Sequence, residues 1–111
     1  MTAYDEDMVR EFRSEALERL EQVESSLLGI ERGDAEAVAR AFRALHTIKG
    51  NASFVDFVVV NRLAHQLEAL LDRVRAGTMA AEQAVVDILL EGTDRLRRLV
   101  QAPPAGDGEA I

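Results

Sequence analysis

A histidine, a lysine three residues on and a glycine four residues on stand together in His46-Thr47-Ile48-Lys49-Gly50-Asn51-Ala52. On an α-helix, side chains tilt toward the N-terminus, so the residue at i+4 leans back over residue i. Glycine has nothing to lean, and Gly50 therefore leaves space around the imidazole of His46. Lys49 shares that face and can bring an ammonium near whatever the ring carries. A glycine inside a helix costs about 1 kcal/mol relative to alanine, so one placed here calls for a reason. An accessible imidazole flanked by a cation is what a phosphoryl carrier needs.

Helices are the elements that must hold this set, and four amphipathic stretches supply them. The first runs from about Tyr4 to Glu31, with Val9, Phe12, Ala16, Leu20, Val23, Leu27 and Ile30 at steps of three and four. Thr2 with Asp5 would form a capping box at its start, and Gly33 a stop at its end. Asp34 would cap the second helix, whose inward stripe is Val38, Ala41, Leu45, Ile48 and Ala52. The third carries Leu63, Leu67, Leu70, Leu71 and Val74 and closes at Gly77. The fourth begins near Ala80 and shows Val85, Ile88, Leu89, Leu96, Leu99 and Val100. Short connections make neighbouring helices antiparallel, so the pattern predicts an all-α, up-down-up-down antiparallel four-helix bundle over residues 1–101. Residues 102–111, with Pro103-Pro104 and two glycines, read as a flexible linker and suggest a domain cut from a longer chain. In this arrangement the second and third helices are neighbours.

The segment from Ala41 to Gly77 resembles the histidine phosphotransfer (HPt) family, and within it the N-terminal phosphotransfer (P1) domain of chemotaxis histidine kinases of the CheA type. Two motifs carry the resemblance, Phe42-Arg43-Ala44-Leu45-His46-Thr47-Ile48-Lys49-Gly50 and Leu63-Ala64-His65-Gln66-Leu67-Glu68-Ala69-Leu70-Leu71-Asp72. The first implies that His46 is the phosphorylated residue. The second implies that His65 and Glu68 belong to a hydrogen-bond network around it. Beside an imidazole, Glu68 would accept the Nδ1–H bond and fix the tautomer that leaves Nε2 nucleophilic. Lys49 would balance phosphate charge, Gly50 would keep the approach open, and His65 would support the network from behind. The chain departs from the family after the first motif, where Asn51-Ala52-Ser53-Phe54-Val55-Asp56-Phe57 replaces a glycine-rich continuation; the departure bears on the loop between the second and third helices and on the choice of partner.

Each of these residues also has a plainer reading. A single helical histidine is usually solvated or half-buried, a lone lysine or glutamate is usually surface, and His65 could be a satisfied surface histidine. His46, His65 and Glu68 would make three ligands for an open zinc site, but two histidines and a carboxylate on separate helices are a weak metal signal, and no metal is assigned. The acidic run Glu11, Glu15, Glu18, Glu21, Glu24 reads as a solvated face, and Gly92 has no evident function. The paired motifs favour chemistry over these readings.

At 111 residues the chain is one domain, too short for a kinase with its own nucleotide site, and no phosphate-binding glycine loop is present. No cofactor is expected in this domain; the resemblance puts ATP and Mg²⁺ on partner domains. The chain has no cysteine and a formal charge of −7. The charge argues against nucleic acid and anionic membranes, and no signal peptide or transmembrane run is legible. These features fit an acidic module of the cytoplasm. The partners implied are a CheY-like response-regulator receiver domain, whose aspartate takes the phosphoryl group, and a kinase catalytic domain in cis or in trans. The chain would be a phosphocarrier within a histidine kinase. The alternatives are a stand-alone shuttle of a multistep relay and a structural adaptor bundle without covalent chemistry.

Overall fold

The computed structural model describes residues 6–102, and within them the chain forms four helices. They are α1 (Glu6–Glu31), α2 (Ala37–Phe54), α3 (Val58–Arg75) and α4 (Gln83–Gln101). The expected capping box of Thr2 and Asp5, and the Pro103–Ile111 tail, lie outside the described residues. Packing joins α1 to α2, α2 to α3, α3 to α4 and α4 to α1, with no diagonal pair in contact among the described residues. This is the antiparallel four-helix bundle that the periodicity predicts. Among the described residues no helix is long and apolar enough to cross a membrane.

The turns follow from local backbone chemistry. Gly33 and Gly77 both adopt φ +83°, the left-handed region that ends helices. At the first, the Gly33 N–H donates to Ile30 O at 3.0 Å and the Asp34 N–H to Gly29 O at 3.0 Å. Asp34 accepts the Glu36 N–H at 2.9 Å and pairs with Arg40 at 2.6 Å. It therefore satisfies the turn leading into α2, while Glu36, the residue before the helix, makes no side-chain cap. The glycine-poor segment after the first motif is largely helix, because α2 continues through Phe54. Asp56 takes φ 64° and does the turning that glycine does elsewhere. The Phe57 N–H then donates to Ala52 O at 2.8 Å, and the Phe57 ring enters the core beside Phe12, with centroids 4.8 Å apart.

The core is built from Phe12, Leu20, Val23 and Leu27 of α1, Leu45 and Ile48 of α2, Val60, Leu67 and Leu71 of α3, and Leu89, Leu96 and Val100 of α4. Val9, Ile30 and Val38 are half-buried, and the seams of α3 and α4 differ further from the sequence expectation. On α3 the seam runs through Val60, Ala64, Leu67, Glu68 and Leu71, leaving Leu63, Leu70 and Val74 half-buried. On α4, which starts at Gln83 and not near Ala80, the buried set is Val86, Leu89, Thr93, Leu96 and Val100. Ile88, expected inside, is 55% exposed. Thr93 occupies the inward position because its hydroxyl donates to Leu89 O at 2.7 Å, so burial leaves no unsatisfied group. Gly92 now has a reason: a Cβ there would stand 2.6 Å from Leu67 Cδ2, so glycine makes room for the Leu67 side chain against the α4 backbone. Arg13 ties the ends of the bundle, donating from Nε to Val100 O at 2.9 Å and from Nη2 to Ala102 O at 2.8 Å.

Candidate functional site

His46 follows the buried Leu45 on α2, so it projects from the edge of the inward stripe, and its side chain is 63% exposed. Across the helix pair stands Glu68, whose side chain is only 7% exposed. A carboxylate at that depth must be fully bonded. It is: Oε2 lies 2.5 Å from His46 Nδ1, and Oε1 accepts from Lys49 Nζ at 2.6 Å. Burial pushes the Glu68 carboxyl up, but the bonds from Lys49 and His46, with their charges, outweigh it and hold the group below its ordinary value. An ionised carboxylate only accepts, so Nδ1 carries the hydrogen. Nε2 is then left as the nitrogen with a lone pair in the neutral ring.

The antiparallel register of α2 and α3 thus joins His46, Lys49 and Glu68 through one carboxylate. Lys49, 25% exposed, commits one of its three donors to Glu68. Gly50 is exposed, and a Cβ built on it meets nothing within 4 Å, so no helix contact accounts for the glycine. His65 stands apart: it is exposed on α3 and makes no hydrogen bond or ion pair with another described residue. The His46, His65 and Glu68 set is not gathered, and no group of three metal-ligating side chains occurs among the described residues.

Sequence reasoning misses two neighbours of the site. Asn61 Nδ2 donates to Lys49 O at 2.8 Å, pinning α2 to α3 one turn beyond His46. Its signal is present in the chain, since Asn61, Ala64 and Glu68 lie at i, i+3 and i+7 on one face of α3. Phe42, one turn before His46, belongs to the first motif without an evident task there; its ring lies 6.2 Å from the imidazole, centroid to centroid.

An imidazole held at Nδ1 by a buried carboxylate thus stands on the edge of a four-helix bundle, and comparison with known proteins identifies the class of domain. The profile of the Hpt domain matches residues 7–102, and the chain belongs to the Hpt domain family. Chemotaxis protein CheA of Treponema pallidum (strain Nichols) is 35% identical over 108 residues, which is 96% of this chain and 13% of that protein. CheA of Bacillus subtilis (strain 168) is 36% identical over 101 residues, 88% of this chain and 15% of that protein. The chain therefore spans about a seventh of the length of these relatives. Among solved structures, the phosphorylated P1 domain of CheA3 in complex with CheY6 from R. sphaeroides superposes with a TM-score of 0.80 at 31% identity. That match covers 94% of this chain and 88% of the other.

Proposed function

We propose that this chain is the phosphoryl-accepting domain of a chemotaxis-type two-component kinase, with His46 as the carrier. A lone pair on Nε2 attacks the γ-phosphorus of ATP, the N–P bond forms, and the bond to the ADP oxygen breaks. The ring becomes cationic as it attacks, and Glu68 stabilises that charge through Nδ1–H. In the second step an aspartate oxygen of a receiver domain attacks the phosphorus, the N–P bond breaks, and the ring returns to neutral. ATP and Mg²⁺ sit on the kinase catalytic domain, and the receiver contributes its own acidic cluster and Mg²⁺. Phosphoryl transfer asks for in-line positioning and charge stabilisation more than for covalent work by the carrier, so three polar side chains suffice here. The domain works in the cytoplasm, with the catalytic domain in the same polypeptide or in a partner.

The observation that carries this reading is the 2.5 Å contact between His46 Nδ1 and buried Glu68, which turns the other ring nitrogen to chemistry. The R. sphaeroides structure supports it, being a phosphorylated P1 domain in complex with CheY6. Incubation with a CheA-type catalytic domain and radiolabelled ATP provides the test. The protein takes up an acid-labile, base-stable phosphoramidate, and His46→Gln abolishes labelling while the helical signal survives. Undiminished labelling of that variant, or label stable in acid, overturns the assignment.

A further inference from the structure

One hydrogen bond does not fix a ring. The Nδ1 to Glu68 contact holds one corner of the His46 imidazole, yet coupled changes of χ1 and χ2 can keep that contact while they tilt the ring plane and swing Nε2. A second restraint is needed, and it lies one turn earlier on the same helix. The Phe42 ring is nearly parallel to the imidazole, with 12° between the planes and 6.2 Å between centroids, an offset stack. Because helical side chains tilt toward the N-terminus, His46 leans over Phe42.

Phe42 is itself held. Arg75, at the end of α3, places its guanidinium carbon 4.2 Å from the Phe42 ring centroid. Arg75 also pairs with Asp72, whose Oδ1 accepts from Nη2 at 2.5 Å. Asp72, Arg75, Phe42 and His46 form a chain of contacts across the α2–α3 seam that shares no residue with the Lys49–Glu68 pair. It meets that pair only at the imidazole.

We propose that Phe42, clamped by Arg75, is a positioning residue that sets the plane of the His46 imidazole and so the direction in which Nε2 faces. Glu68 selects which nitrogen is reactive; Phe42 and Arg75 select where it points. The proposal rests on His46 being the phosphoryl acceptor. In-line attack tolerates little angular error, so loosening the plane slows transfer without altering the tautomer.

The test compares Phe42→Leu, Phe42→Tyr and Arg75→Gln with the parent. It follows ¹³C relaxation of the His46 ring carbons, the ¹⁵N shifts of both ring nitrogens, and labelling by a CheA-type catalytic domain with radiolabelled ATP. Phe42→Leu lowers the ring order parameter and slows labelling about tenfold, while the nitrogen shifts still report Nδ1–H. Arg75→Gln gives the same pattern more weakly, and Phe42→Tyr retains parent behaviour. Ring order and rate both unchanged in Phe42→Leu and Arg75→Gln overturn the proposal. Slowed labelling with an unchanged order parameter also overturns it, since Phe42 would then act on kinase docking. If Phe42→Leu does not fold, Arg75→Gln decides alone. A parent that takes no label on His46 defeats the phosphoryl-acceptor reading instead, and the relaxation data still report whether Phe42 fixes the ring.

Discussion

Replacing Glu68 by glutamine is the sharpest probe of the site, because it keeps shape and removes charge. The glutamate side chain is 7% exposed and gives one oxygen to His46 Nδ1 at 2.5 Å and the other to Lys49 Nζ at 2.6 Å. Glutamine has one acceptor oxygen and an amide that donates, so His46 Nδ1–H and the Lys49 ammonium compete for a single acceptor. The loser faces an N–H. Hydrogen bonds to charged groups contribute about 1.5–3 kcal/mol against about 0.5–1.5 for neutral ones. The part that matters to rate is what the carboxylate adds as the ring turns cationic, about 1–2 kcal/mol, or about 5- to 30-fold in phosphorylation rate. Kinase-driven labelling measures the rate, and ¹⁵N spectra of the imidazole measure the tautomer. A Glu68→Gln protein that labels at the parent rate with an undisturbed Nδ1–H tautomer refutes the assigned role.

The same variant carries a pH signature with a definite sign. Burial pushes the carboxyl up, but the bonds and charges of Lys49 and His46 hold the folded value below the ordinary one. The unfolded chain therefore takes up a proton first as pH falls. The stability that Glu68 contributes is fully present above the unfolded glutamate value, about 4.3, and is lost as pH drops through the folded value. Glu68→Gln has no such group to titrate, so the stability gap between parent and variant narrows below that value. A gap that widens below that value contradicts the network as described.

Two glycines make opposite predictions. Gly50 has open space about its Cα, so Gly50→Ala raises stability by up to about 1 kcal/mol, seen as a higher melting temperature. Gly50→Leu also folds but shields His46, losing phosphotransfer at an undiminished melting temperature; transfer at the parent rate removes the access role. At Gly92 a Cβ would meet Leu67 Cδ2 at 2.6 Å, and overpacking of about 1–3 kcal/mol outweighs the helix-propensity gain of about 1 kcal/mol. Gly92→Ala therefore destabilises the parent yet stabilises a Leu67→Ala background, a change of sign that chemical denaturation of the four proteins reads directly.

The bundle is legible because apolar spacing and helix stops act locally. Leu20, Leu45 and Leu96 fall where the 3.6-residue period puts them, and Gly33 and Gly77 turn the chain where they stand. The misjudged positions are those where a neighbour decides. Ile88 is apolar enough for the core, but the rotation of α4 is set by Leu67 seating against Gly92 and by Thr93 satisfying its own hydroxyl, and neither contact is written in the hydropathy of α4. Asp56 is illegible for another reason: its φ of 64° is a backbone state that aspartate tolerates but does not announce. In the site, helix order makes α2 and α3 neighbours, and the second motif singles out Glu68 as the partner of His46. The burial of Glu68 is not legible in this way, since an isolated helical glutamate reads as solvated, and only the Lys49 ammonium and the His46 N–H that meet it offset the cost of its depth.

That burial gives Lys49 a further partner. The sequence suggests an ammonium near the phosphoryl group, and the structure shows one of its three donors on Glu68 Oε1 at 2.6 Å. A bare carboxylate beside His46 would repel the anionic phosphoryl group that the imidazole must meet, through a region where low dielectric makes the repulsion strong. With Lys49 attached, the carboxylate keeps its bond to Nδ1 while the net charge of the pair is zero. The imbalance between a 7% exposed carboxylate and a 63% exposed imidazole fits the proposed role of His46: the imidazole is open to a partner, while the carboxylate bonded to it stays out of reach.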